Sequence, residues 1–391
     1  MNFLHLVAFI AFATSLFTRA ADPIIPQVAA AFDVAPATAA LLASAFALTY
    51  ALVQPVLGAL ADMFSKTLLM MVCLLMLVIA SVAAALAVSF EMLLITRAVS
   101  GVAAGGVFPA ALALVGDRVP VAQRQVAFGR VLAGAMMGNL LGASGAGIVA
   151  DLAGWRAVFV ATALVGLVVL LASAYGFRKV SDSAPGRFDL STLGPNYRTI
   201  LGNPVAKYCF GVVFVEAALV FGIFPHVASL MAAAGESRAA IAGIVIAGFG
   251  IGAIAYTLAV SRLLAVFSGR VLMLSGGVII ACCFVIIALR LPWYFEFANF
   301  VLLGFGMYFL HGYVQVTATE LAPAARGSAM ALHSAAFFGG QAVGPLLYGR
   351  GFTGIGVMPT LLAAAAALLL VGVVAALTVR RPPPAAPAAK T

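Results

Sequence analysis

The chain has 391 residues, 64% of them hydrophobic and 8% charged, with a formal net charge of +9 and a mean hydropathy of +1.17. A charged share so far below the roughly 25% of soluble proteins cannot cover a water-facing surface, which excludes an ordinary aqueous enzyme or signalling domain and leaves the bilayer as the fitting solvent. The cations are scattered through short loops with no basic stripe, which argues against nucleic acid as a partner.

A helix crosses hydrocarbon with about 20 apolar residues. Twelve such runs follow one another, at 3–27, 37–61, 67–88, 91–115, 127–150, 156–176, 207–231, 239–265, 269–289, 293–318, 325–350 and 354–379. They are too long and continuous for the ~10-residue alternating strands of a membrane barrel. The expected fold class is an all-α membrane protein of twelve transmembrane helices. The first run has no basic residue before it, only Met1, Asn2 and His5, and it continues past Asp22 through Ile24, Ile25 and Val28. It is read as a membrane helix and not as a cleaved leader.

The one long polar stretch, Arg178 to Asn203, holds Pro185 and Pro195 and divides the runs six and six. This predicts an N-terminal bundle over 1–177, a cytoplasmic linker over 178–206, a C-terminal bundle over 207–380 and a Pro/Ala-rich disordered tail over 381–391. With the N-terminus inside, fifteen Lys and Arg fall in the inner loops and tail. Four, Arg156, Arg238, Arg290 and Arg350, fall outside, and Arg19 and Arg97 lie within runs. That bias predicts two cytoplasmic termini. Cys73, Cys209, Cys282 and Cys283 lie in or beside apolar runs without C-x-x-C spacing, so they read as packing residues and no metal site is expected.

The halves echo each other. Pro26-Gln-Val-Ala matches Pro225-His-Val-Ala, Phe64-Ser65 matches Phe267-Ser268, and Gly138-Asn-Leu-Leu-Gly142 matches Gly340-Gln-Ala-Val-Gly344. Three echoes in order at nearly one offset indicate two pseudo-symmetric six-helix bundles. Such halves suit a transporter that rocks one bundle against the other around a midplane site.

Gly58-Ala-Leu-Ala-Asp62-Met-Phe-Ser-Lys66 stands between the second and third runs. Arg97-Ala-Val-Ser-Gly101-Val-Ala-Ala-Gly105 is in the fourth. Gly134, Gly138, Gly142, Gly145 and Gly147 are in the fifth, and Gly154-Trp155-Arg156 opens the sixth. Over essentially the whole chain these resemble the major facilitator superfamily, through its G-x-L-x-D-R-x-G-R/K loop motif, its R-x-x-x-G-x-x-x-G helix motif and its glycine-rich antiporter motif. Met63 and Ser65 depart from the first, Ser100 stands where the second often has Gln, and Ala143 replaces the proline of the third. Gly344-Pro345 stands at the pseudo-equivalent place in the eleventh run. Arg19-Ala-Ala-Asp22-Pro23-Ile-Ile-Pro26 and the stretch from Leu310-His311 to Arg326-Gly327 resemble bacterial drug- and sugar-efflux-like permeases, which are drug:proton antiporters.

The resemblance implies a monomeric secondary transporter of a bacterial inner membrane. It would work by alternating access on the proton gradient, with no cofactor, and its partners would be a small-molecule substrate and membrane lipid. Efflux of a small amphipathic molecule by antiport is the first expectation. Proton-coupled uptake of an organic anion, with Arg19 or His311 meeting the carboxylate, is the alternative. No G-x-x-x-x-G-K-S/T, G-x-S-x-G or H-E-x-x-H occurs, so neither ATP nor hydrolysis is expected to drive it, and it is not read as an enzyme. A sensor or scaffold would need a docking domain that the linker and tail do not offer.

Ionisable groups in the membrane are functional candidates by default. Glu216 stands in an apolar stretch with nothing near it in sequence to neutralise it, which suits a proton carrier. Arg19 and Asp22, three apart, share a helix face and are either a fixed ion pair or a switchable one. Asp22 is the competing proton carrier. Arg97 matches the family's buried arginine, implicated there in proton coupling, or neutralises an acid nearby. Tyr308, His311 and Gln315 place polar groups on the tenth run, and Asn139 and Gln341 are pseudo-symmetric; all five are cavity candidates beside Arg19. His226 and His333 lie nearer helix ends and rank below them. Asp62, with Gly58 and Lys66, is read as a latch against a helix N-terminus. Gly101, Gly138, Gly142 and Gly344 with Pro345 are read as close-packing positions, either static or gating.

Overall fold

The computed structural model describes residues 3–63, 65–179, 193–322 and 325–379. Among them, eleven helical segments are long and apolar enough to cross a membrane: Phe3–Ala31, Pro36–Val56, Lys66–Ala85, Phe90–Arg118, Val126–Ala153, Trp155–Gly176, Ala206–Ala233, Ala239–Val266, Gly269–Leu289, Trp293–Glu320 and Val357–Thr378. The remaining span, eleventh in chain order, is Arg326–Gly354, as long as its neighbours at 29 residues but less apolar. It packs between the second span and the seventh, so protein and not lipid surrounds much of it. Several helices outrun their apolar runs. The fifth is helical over Val121–Ala153, because a helix satisfies its own backbone into the headgroup layer where Arg124 and Asp151 are tolerated.

The first and seventh spans are broken at matching places. The first is helical over Phe3–Arg19, turns 3-10 over Asp22–Ile24 and resumes over Ile25–Ala31. The seventh is helical over Ala206–Gly222 and again over Phe224–Ala233. Pro23, Pro26 and Pro225 lack the N–H that would continue the ladder. Carbonyls in the turn before each break then need other donors. Arg97 Nη1 donates to the Phe17 carbonyl at 3.1 Å, and the Tyr348 hydroxyl donates to the Leu219 carbonyl at 2.8 Å.

The sequence echoes have structural causes. Ser65 and Ser268 cap the third and ninth spans, accepting from Leu68 N at 3.1 Å and Val271 N at 3.4 Å. Gly134, Gly138 and Gly142 lie against the carbonyl oxygens of Ala8, Phe12 and Leu16, where a Cβ would collide with backbone. Gly340 and Gly344 lie likewise against Phe214 and Ala218. The paired glycines therefore join spans within one half, first to fifth and seventh to eleventh. Gly101 meets the Phe46 carbonyl and joins the fourth span to the second.

The linker holds a ten-residue helix, Leu193–Gly202. Its Tyr197 hydroxyl donates to the Pro55 carbonyl at 3.0 Å, and Asn203 donates to the Leu321 carbonyl at 3.2 Å. The tail expected over 381–391 lies outside the described residues. So do the side chains of the second span's last turns, including Asp62, and with them the latch expected there. Lys66 pairs with Asp117 at 2.9 Å, within the N-terminal half.

The halves meet tightly at the face opposite the two termini. Gly147 lies on the Ala239 carbonyl and Gly243 on that of Ala143. Asp151, at the end of the fifth span, accepts from the backbone N–H of Ala239 and of Ala240 at 2.9 and 2.8 Å, capping the eighth span from the other half. Toward the terminal face the same two spans loosen and then separate: Gly250 has room for a side chain beside Leu140, and no residue from Thr257 to Val266 is buried. Asp151→Ala, and Gly243→Val at about 1–3 kcal/mol of overpacking, are expected to loosen the closed face. Faster thiol labelling of an Ala240→Cys probe from that side checks this.

Candidate transport site

Between the halves, near the middle of the spans, lies a cavity of about 990 Å³ with its open mouth included. Both halves line it. Thr14, Thr18, Arg19, Tyr50, Phe108 and Asn139 come from the first, second, fourth and fifth spans. Phe221, Phe224, Phe249, Tyr308, Phe337, Phe338 and Gln341 come from the seventh, eighth, tenth and eleventh. The surface is aromatic with a few polar groups. Tyr50 stacks on Phe338 across the halves with ring centroids 3.6 Å apart.

Arg19 is the one charged side chain on this wall among the described residues. The break after it places the guanidinium over the rings of Phe221 and Phe224, at 4.7 and 5.0 Å. Its Nη2 donates to Gln341 Oε1 at 3.0 Å, a bond between the two halves. Its Nη1 reaches Asp22 Oδ2 at a longer 3.4 Å. Asp22 is buried behind the cavity and lies within electrostatic range of Arg97 as well. Arg97 is buried over the Phe46 ring at 4.5 Å and does not line the cavity.

Glu216, 0% exposed, lies in the C-terminal half, and neither carboxyl oxygen has a hydrogen bond. Its nearest polar neighbour is His311, with Nδ1 3.5 Å from Oε2. The His311 ring lies 5.2 Å from that of His333 and 5.0 Å from that of Phe337. Phe337, which lines the cavity, thus stands between it and a buried acid with two imidazoles.

Of the six expected cavity groups, Arg19, Asn139, Tyr308 and Gln341 line it. His311 stands one layer behind. Gln315 is exposed and not on the wall, a correction to the expectation: it lies a turn beyond His311, where no neighbouring span covers it. Gly138, Gly142 and Gly344 pack each half internally, and Pro345 offers its carbonyl to the His226 ring at 3.1 Å. Sequence reasoning missed Tyr50 and Phe338, aromatics in apolar runs with no local signal of pairing, and did not bring His333 together with His311. No group of three or more metal-ligating side chains occurs among the described residues.

Asp22 is the one carboxylate near two guanidiniums, that of Arg19 on the cavity wall and that of buried Arg97, so Asp22→Asn leaves both cations uncompensated. Loss of about 3–5 kcal/mol is expected, read as a fallen midpoint of thermal unfolding in detergent. Glu216→Gln, which removes no ion pair with a cation, is expected to unfold no earlier than wild type.

The sequence model of the Major Facilitator Superfamily matches residues 7–324. An uncharacterized MFS-type transporter of Mycobacterium tuberculosis, Rv1250, is 31% identical over 43% of this chain and 29% of its own length. The multidrug resistance protein MdtG of Proteus mirabilis is 36% identical over 34% of this chain and 33% of its own. The aligned stretch spans about a third of the length of these curated relatives. A crystal structure of a D-xylose-proton symporter superposes with a TM-score of 0.73 over 97% of this chain and 98% of that one, at 15% identity.

Proposed function

The chain belongs to the major facilitator superfamily, and from that membership we propose that it is a multi-pass, proton-coupled secondary active transporter that exports a small amphipathic molecule by antiport. The two six-helix halves, 1–177 and 207–380, rock about the central cavity, and the 178–206 linker joins them. The kinship with MdtG, named a multidrug resistance protein, supports export. A wall of Phe and Tyr with a few polar groups suits an amphipathic substrate. The excess of Lys and Arg in one set of loops supports an inner-membrane orientation with both termini in the cytoplasm.

The single observation that carries proton coupling is Glu216. It is an acid with no hydrogen bond and no cation, one residue layer behind the cavity wall. A buried carboxyl without a fixed counter-charge has no structural bond to break when it takes up or gives back a proton. Alternate exposure of the cavity to the two sides lets it load from one and unload to the other, with His311 beside it as the exchange partner.

Two measurements test the reading. In everted membrane vesicles with a pH-sensitive dye, compounds that shift the melting temperature of the purified protein should dissipate an imposed proton gradient. Glu216→Gln should abolish that response while leaving energy-independent exchange of the compound; extrusion against a gradient at the normal rate would show that the carrier is elsewhere. A reporter fused after Thr391 that is active only in the periplasm should stay silent.

A further inference from the structure

The hydrogen-bond and charge inventory of the cavity is lopsided. Arg19 and Arg97 share one carboxylate, that of Asp22, so this buried group holds a surplus positive charge. Glu216 lies in the other half and has His311, not an arginine, as its polar neighbour. The surplus reaches the cavity at Arg19, whose contact with Asp22 is the longer of its two, at 3.4 Å against 3.0 Å to Gln341.

Gln341 adds a second mismatch. An arginine can only donate, so the amide oxygen must face Arg19. The amide nitrogen is then left buried without an acceptor. The Thr14 hydroxyl, also on the cavity wall, is buried without a partner as well. A buried donor left unpaired costs about 1–3 kcal/mol, so the wall presents an arginine and an unpaired amide N–H₂ with nothing to receive them. Beside them stand Phe221 and Phe224, whose rings pack together on one side of the guanidinium.

We propose that the cavity is built for an organic monoanion with a flat apolar body, its carboxylate or sulfonate accepting from Arg19 and from Gln341 Nε2 while the body lies among the phenylalanines. This rests on the transport reading and names the substrate class of the same site. The Arg19–Gln341 bond is a contact between the halves, so an anion that takes up these donors also replaces a link that holds the halves together. A neutral amphipath meets the same rings and can accept from the amide but leaves the surplus charge uncompensated, and a cationic one adds to it.

The test is equilibrium binding to the full chain in detergent by calorimetry. It uses three probes of one shape: 2-naphthoate, 2-naphthamide and 2-naphthyltrimethylammonium. The carboxylate is expected to bind about ten to a hundred times more tightly than the amide, the factor a charge-assisted hydrogen bond is worth, and the cation not at all. Arg19→Gln should abolish the preference. Because that variant disturbs the pair with Asp22, Gln341→Glu is the companion: it keeps Arg19 and Asp22 but supplies Arg19 with a competing carboxylate, and it should also abolish naphthoate binding. Equal binding of the amide or the cation, naphthoate binding unchanged in both variants, or no binding of naphthoate, benzoate or naphthalenesulfonate at millimolar concentration overturns the proposal. No proton gradient is involved, so a failure of proton-driven export leaves this result standing, and the converse also holds.

Discussion

A backbone that leaves helical geometry inside hydrocarbon must find partners there for the groups it frees, and the rest of this structure depends on how the two broken spans do so. The break at Asp22–Ile24 brings Arg97 to the Phe17 carbonyl, and the break before Phe224 brings Tyr348 to the Leu219 carbonyl. Each partner comes from another span of the same half. The breaks thereby fix how the fourth span sits on the first and how the eleventh sits on the seventh. They also aim the side chains beside them, Arg19 in one half and Phe221 and Phe224 in the other, into the space between.

Charge is distributed unequally across that space. The N-terminal half buries an aspartate between two arginines, a group held in place by opposite charges that cost much to separate. The C-terminal half buries an acid beside imidazoles, with no permanent charge to hold it. One half is thus suited to offering a fixed charge to a substrate and the other to varying its own. The aromatic layer of Tyr308 and Phe337 lies between them, and Tyr308 is within electrostatic range of both Glu216 and Arg19.

The fold was legible because hydrophobicity has one meaning in a bilayer, and the echoes between halves proved to be local devices. Ser65 and Ser268 are one helix cap used twice, and the paired glycines are one carbonyl-to-glycine packing used twice. The eleventh span is the least apolar, and it packs between the second and seventh spans with part of its length on the cavity. The site was half legible. Arg19, Glu216 and Gln341 announce themselves as polar residues in apolar runs, but their partners do not: Arg19 and Gln341 are 322 positions apart. Spacing along one helix placed Gln315 with His311, yet it cannot tell where along the span a neighbour ends. His333 joined the acid only through the packing of the eleventh span on the tenth and seventh.

The linker helix has a mechanical corollary. Tyr197 is bonded to the second span and Asn203, six residues on, to the end of the tenth. A strap of that length, fastened once to each half, cannot follow a wide swing without losing a fastening. In the proposed rocking of the halves, the opening at the terminal face that keeps both fastenings is limited to what the short helix between the two bonds can pivot through. On that reading, lengthening the strap would widen the opening without touching the core.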